Sequence, residues 1–203
     1  MKKRIITISR EFGSGGRTIG KQIAKQLNIP YYDKELVKQI SLESGFDPEY
    51  IEEQNEASPG ITRFAYSLLP PGTPGAMHSL SAADFLWSIQ REVILHLAEK
   101  ESCVIVGRCA DYILKDRDDC LHVFIHANMD FRGKRIISLY GESEKSPEKR
   151  LQEKDKKRRS NYLFYTEREW GRAQNYHISL NSGAIGLQKC VDIIVDLANH
   201  IGE

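Results

Sequence analysis

Gly13, Gly15 and Gly16 crowd together just after the apolar run Ile5–Ile8, and Arg17 and Thr18 follow them directly. Glycines let backbone N–H groups turn inward with no Cβ in the way, and the unpaired amides at a helix start attract anions. Arg17 adds positive charge, and the Thr18 hydroxyl could reach Mg²⁺ or a phosphate oxygen. With Ser14 inside the loop and Arg10 at its entrance, the chemistry that these residues suit is the holding of a polyphosphate. Three other places carry matching residue types. Asp33 closes Ile29-Pro30-Tyr31-Tyr32, Arg108 follows Cys103–Val106 three positions before Asp111, and Arg158 and Arg159 end the run Lys154-Asp155-Lys156-Lys157. An arginine can fork onto a phosphate through two parallel hydrogen bonds, and clustered cations can neutralise charge that develops on transferring phosphoryl oxygens.

The loop fits the common phosphate-binding pattern G-x-x-x-x-G-K-[ST] irregularly. With Gly16-Arg17-Thr18 on its G-K-[ST] end, Glu11 occupies the first glycine's place and Arg17 that of the lysine. In the related form G-x-x-G-x-G-K-G-T, Arg10 falls on the first glycine, Gly16 on the lysine and Thr18 on the final threonine. Sequence leaves both registers open, and both put an arginine rather than a lysine close to the phosphates. A glycine-rich turn that binds nothing is the plain alternative. The strand-loop-helix setting and the Arg-Thr pair favour phosphate binding.

The elements that must position these groups follow from periodicity. Ile5–Ile8 and Cys103–Val106 are short, continuous and β-branched, as buried parallel strands are, and Leu121–His126 and Tyr176–Leu180 read as two more. Ile19, Ile23, Ala24 and Leu27 fall at helical spacing from Gly16 onward. Ile29–Asp33 reads as a strand, with Asp33 as N-cap of a helix over 34–44 or as a group facing substrate from the strand's end. An acidic helix is expected from Asp47 to Glu56, a Pro-, Gly- and Ser-rich loop from Ser58 to Ser81, and a long helix from Ala82 to Lys100. Helices are expected over 131–139 and 185–201. Gly141–Thr166 reads either as a solvated charged face or as a cationic lid, with Tyr162, Phe164, Tyr165 and Trp170 docking it or stacking on a base. Arg108 is equally readable as a surface arginine paired with Asp111.

Length and composition narrow the classes. At 203 residues the chain fits one α/β domain, and a net charge of +1 argues against a bulk nucleic-acid or acidic-membrane binder. Lys2-Lys3-Arg4 has no long apolar segment behind it, so neither a signal peptide nor a membrane span is expected. Cys103, Cys109, Cys120 and Cys190 form no C-x-x-C pair and read as reduced core thiols in a cytoplasmic protein. His122 and His126 lack a third ligand and read as structural.

Over nearly its full length the sequence resembles the cytidylate kinase-like branch of the nucleoside monophosphate kinases. The resemblance rests on ITISREFGSGGRTIGKQIAKQL, IPYYDKEL, VIVGRCADYIL, DKKRRSNY and YHISLNSGAIGLQKCVDII. It implies a P-loop kinase fold: three α/β/α layers, a five-stranded parallel sheet, a helical acceptor-binding insertion over 34–100 and a lid over 141–172, all within one domain. It further implies ATP and Mg²⁺ as donor and cofactor, with Thr18 at the metal, and a nucleoside monophosphate, CMP-like, as acceptor. Arg10, Gly13, Ser14, Gly15, Gly16, Arg17 and Thr18 would hold the ATP phosphates. Asp33, Arg108 and Asp111 would hold the acceptor, and Arg17, Arg158 and Arg159 would stabilise the transferring group. Cytidylate kinases end the third strand in Gly-Arg-Asp; Gly107 and Arg108 match it, and Cys109 stands in the aspartate's place. A non-catalytic nucleotide-binding relative and a kinase for another small acceptor are the competing readings. Oligomeric state is not legible.

Overall fold

A computed structural model describes residues 4–45, 47–48 and 82–201. The expected loop over Ser58–Ser81, and nearly all of the acidic helix ending at Glu56, lie outside the described residues. The sheet has five parallel strands in the order β2-β3-β1-β4-β5, with β1 (Ile5–Arg10) at its centre. Its neighbours are β3 (Cys103–Val106) and β4 (Cys120–His126), while β2 (Tyr31–Tyr32) and β5 (Ile178–Asn181) lie at the edges. Ile5 pairs with both Cys103 and Cys120, so the central strands start level and their C-terminal ends open on one rim.

Side chains alternate between faces with the strand period of two, which divides the core. Ile6, Ile8, Val104 and Val106 meet α1 (Gly16–Leu27) and α8 (Leu187–His200) on one face. Ile5, Cys103 and Ile105 meet α2 (Lys34–Ser44) and α3 (Ala82–Lys100) on the other. Ile5, Ile6 and Ile8 are wholly buried, each contributing roughly 2 kcal/mol of transfer free energy. The three layers and the parallel sheet match the expectation from sequence.

A third cluster seats the charged segment. α5 (Met129–Tyr140) leads through Gly141 to α6 (Pro147–Thr166), whose start is capped by the Ser146 hydroxyl accepting from the Lys149 amide. On α6 only Leu151, Asp155, Tyr162 and Thr166 are buried, a single stripe at helical spacing. Tyr162 packs with Trp170, Tyr176, Phe124 and Cys109, and Tyr165 stacks on Trp87 of α3 at 4.3 Å. Tyr162, Tyr165 and Trp170 therefore dock the segment against the rest of the domain.

Several boundaries differ from expectation. β2 has two residues rather than five, since only Tyr31 and Tyr32 pair with β3. Asp33 precedes α2 but makes no side-chain cap; its carboxylate is drawn instead to Arg17. The last helix is split at Gly186 into the short α7 (Ser182–Ile185) and α8. Ala110–Ile113 forms a further short helix, α4. No described helix is long and apolar enough to cross a membrane.

Candidate functional site

β1 delivers Arg10 to the sheet's C-terminal rim, and the loop from Glu11 to Gly15 returns the chain into α1. Gly15 adopts φ +88 as the left-handed cap of α1, a conformation that a side chain would strain. The loop is buttressed from beneath. The Ser14 hydroxyl lies 2.9 Å from the Glu11 carbonyl and 3.0 Å from that of Ile125, and Ser182 donates to the Ser14 carbonyl at 2.6 Å. Ser14 therefore faces inward, and its side chain shapes the loop rather than lining it. Thr18 faces the loop cavity, where its hydroxyl accepts from Arg135 Nη2 at 2.7 Å.

Two adjoining cavities meet at this rim. The first opens beyond the ends of β1 and β3 and is lined by Ser9, Asp33, Gly107, Arg108, Cys109 and Asn161, among others. The second lies against Phe12, Gly13, Gly15, Gly16, Thr18 and Arg135. Arg10, Arg17 and Arg158 line both. Residues from five sequence regions, at 9–18, 33, 107–109, 135 and 158–161, thus converge on one cleft.

The charges in the cleft are unevenly matched. Arg17 and Asp33 pair side-on, with Nε to Oδ2 at 2.9 Å and Nη2 to Oδ1 at 3.3 Å. Arg158 reaches the Arg10 carbonyl at 3.3 Å and lies 3.6 Å from Asp155. Desolvation by burial and then the nearby Arg158 lower the Arg10 pKa to about 9, so Arg10 stays charged at neutral pH against opposition. A polyanion entering between these arginines would relieve their mutual repulsion.

At the end of β3, Gly107, Arg108 and Cys109 take φ of +75, +60 and +52 in succession. Two adjacent non-glycine residues in the left-handed region store strain of about 1–3 kcal/mol each, and such strain concentrates at functional turns. Gln90 of α3 holds the turn by donating to the Arg108 carbonyl at 3.1 Å. Cys109 Sγ lies 3.9 Å from Asn161 Oδ1, and burial first, with Asp111 adding, raises its thiol pKa well above the ordinary range. It remains a protonated thiol. All four cysteines are free and buried.

Most of the residues expected at the site do reach it. Arg10, Gly13, Gly15, Gly16, Arg17 and Thr18 line the loop cavity, and Asp33 and Arg108 line the cavity beside it. Asp111, expected at the acceptor, is instead buried beneath the cleft. It accepts from Tyr162 Oη at 2.6 Å and Ser9 Oγ at 3.1 Å, because the left-handed turn carries α4 back under the rim. Burial pushes its carboxyl above the usual range, with both hydrogen bonds opposing. Arg159, expected beside Arg158, is exposed, sits over the Trp170 ring at 6.0 Å and lines neither cavity. Arg135, on α5, was not legible: its only signal is a position three residues after Arg132 on the same helix.

The model of the cytidylate kinase-like family matches residues 5–184. Among solved structures, an uncharacterized protein from Eubacterium ventriosum ATCC 27560 is 29% identical, with a TM-score of 0.71 over 97% of this chain and 99% of that one. A gluconokinase from Sinorhizobium meliloti 1021 is 14% identical, with a TM-score of 0.55 over 98% of this chain and 95% of its own. A shikimate kinase from Acinetobacter baumannii, solved with shikimate, is 14% identical, with a TM-score of 0.53 over 98% and 94%. The fold is thus that of the P-loop kinases. No curated protein matches the chain.

Proposed function

The chain belongs to the cytidylate kinase-like family, and on that premise we propose that it transfers the γ-phosphoryl group of ATP to a nucleoside monophosphate, CMP or dCMP foremost. The observation that carries this reading is the single cleft in which Arg10, Arg17 and Arg158 face the phosphate loop on one side and Arg108 on the other. Loop amides with Arg10 and Arg17 hold the donor phosphates, and Arg108 grips the acceptor phosphate. Arg158 neutralises charge as the γ-phosphoryl moves, with α6 acting as a lid that excludes water. An acceptor phosphate oxygen forms the new P–O bond, the bond to the β–γ bridging oxygen breaks, and ADP leaves with that electron pair. Positioning and electrostatics suffice for such a step.

The acceptor class has support of its own. Among the described residues lining the first cavity, Asp33 is the one carboxylate, and it is ion-paired with Arg17. An alcohol acceptor is served by a general base, whereas a monophosphate arrives already ionised. Mg²⁺ would travel on the ATP phosphates and offset their charge. Thr18 Oγ1 fits as its protein oxygen, because it faces the loop cavity and keeps a lone pair beyond the one given to Arg135.

The test is ADP formation from MgATP across the nucleoside monophosphates, with shikimate and gluconate as alcohol controls. Acceptor-dependent ADP with a monophosphate supports the reading. Turnover with an alcohol alone would reassign the acceptor, and ATP binding without turnover would leave a nucleotide-binding protein.

A further inference from the structure

We propose that Arg10 takes over the role of the phosphate-loop lysine, delivering the cation from the end of β1 rather than from the first turn of α1. The proposal rests on the phosphate-loop reading above. In the register G-x-x-G-x-G-K-G-T, the chain departs at three places: Arg10 stands at the first glycine, Gly16 at the lysine and Arg17 at the last glycine, and the first two of these concern the lysine's place. In the structure these two residues touch. A Cβ built on Gly16 would lie 2.6 Å from Arg10 Cβ and 2.8 Å from Arg10 Cγ, closer than side-chain carbons approach. The Arg10 side chain therefore lies across the place where a residue-16 side chain would emerge. Conversely, a lysine at 16 fits only if residue 10 gives up its side chain, as the pattern's glycine does. The departures at positions 10 and 16 compensate one another sterically, and together they move the lysine's cation from helix to strand.

The Arg10 guanidinium is also placed for the task. It passes over Gly16 and ends against Gly107, whose missing side chain makes room for it at the rim between β1 and β3. It lines both cavities, as a cation between donor and acceptor phosphates must. Among the described residues its guanidinium has no hydrogen-bond or ion-pair partner, since the neighbouring Asp33 is engaged by Arg17. Arg17, the other candidate for the role, is half-exposed and turned towards that carboxylate. The Arg10 pKa, lowered to about 9 by desolvation and then Arg158 against the opposing pull of Asp33, agrees with a half-buried cation short of counter-charge.

The experiment is calorimetric binding of MgATP to the wild type, Arg10→Met, Arg10→Gly, Gly16→Lys and the double variant Arg10→Gly/Gly16→Lys, with a thermal melt of each. Removing the charge-assisted hydrogen bonds of one guanidinium should weaken binding about tenfold or more in Arg10→Met and Arg10→Gly. Gly16→Lys alone should melt early and bind poorly, because its Cβ meets Arg10. The double variant should return to within about threefold of wild type, its lysine replacing the arginine. Wild-type affinity in folded Arg10→Met, or a double variant no better than Arg10→Gly, overturns the proposal while leaving the phosphate loop intact. Should Arg10→Met fail to fold, the comparison of the double variant with Arg10→Gly decides. Absence of MgATP binding by the wild type would overturn the phosphate-loop reading itself, and this proposal with it.

Discussion

Asp155 Oδ1 accepts the Phe12 amide at 2.7 Å, which ties the charged helix α6 directly to the phosphate loop. Its other oxygen meets Arg132 Nη1 at 2.5 Å, and Arg132 Nε faces Glu11 Oε2 at 3.4 Å. Glu11 Oε2 in turn accepts the Ala127 amide at 3.1 Å. One buried carboxylate in a cationic run thus joins α5, α6 and the loop. The same helix then presents Arg158, three residues on, to the cleft.

Asp155→Ala leaves Arg132 buried with its main counter-charge removed, a situation that costs roughly 3 kcal/mol. Thermal melting followed by circular dichroism should show Tm falling by roughly 10 °C. An unchanged Tm would mean that the pair is incidental to the fold.

Arg158 and Arg159 should separate cleanly. Arg158→Ala should lower kcat on the order of 10³-fold with little change in the KM for ATP, as loss of a transition-state arginine does. Arg159→Ala, changed outside both cavities, should stay within about threefold of wild type. Steady-state kinetics on both variants checks this, and an equal fall in kcat for the two would show that α6 rotates before it acts.

Arg108→Lys should raise the acceptor KM, or lower kcat by misplacing the acceptor, and leave ATP binding near wild type. A lysine cannot reproduce the guanidinium fork. Weakened ATP binding with every acceptor KM unchanged would move Arg108 to the donor side.

His122 gives a pH signature independent of the cleft. It is buried, stacks on His177 at 4.8 Å and shares a 2.8 Å hydrogen bond with Thr7 Oγ1. Burial and then His177 lower its pKa from 6.5 to about 4. The unfolded chain therefore binds the extra proton between those values. The stabilisation is fully present above pH 6.5 and is lost as pH falls towards 4, by on the order of 3 kcal/mol. Urea midpoints measured from pH 7.5 to 4.5 should fall more steeply in wild type than in His122→Gln. Parallel curves would remove His122 as the cause.

Local signals carried much of this architecture. Glycine spacing, β-branched runs and helical periodicity mark the loop, β1, β3 and α1, because each depends on residues within a few positions. Other features depend on orientation fixed at long range. Arg158 and Arg159 are neighbours in sequence, and only the buried stripe through Asp155 and Tyr162 decides which one faces the cleft. Asp111 reads as a rim carboxylate until three successive left-handed residues turn it beneath the sheet. Arg135 looks like ordinary surface charge until α5 packs beside the loop. Arg10 was legible as an oddity of the pattern, but its contact with Gly16 appears only in three dimensions.

The central claim is phosphoryl transfer from ATP to a nucleoside monophosphate, and isotope transfer tests it most directly. The protein is incubated with γ-³²P-labelled ATP, Mg²⁺ and CMP or dCMP, and the nucleotides are separated. Label should appear in the nucleoside diphosphate in equal amount to the ADP formed, and none should appear as inorganic phosphate beyond background. Label confined to ATP and inorganic phosphate, with every nucleoside monophosphate returned unchanged, would contradict the account.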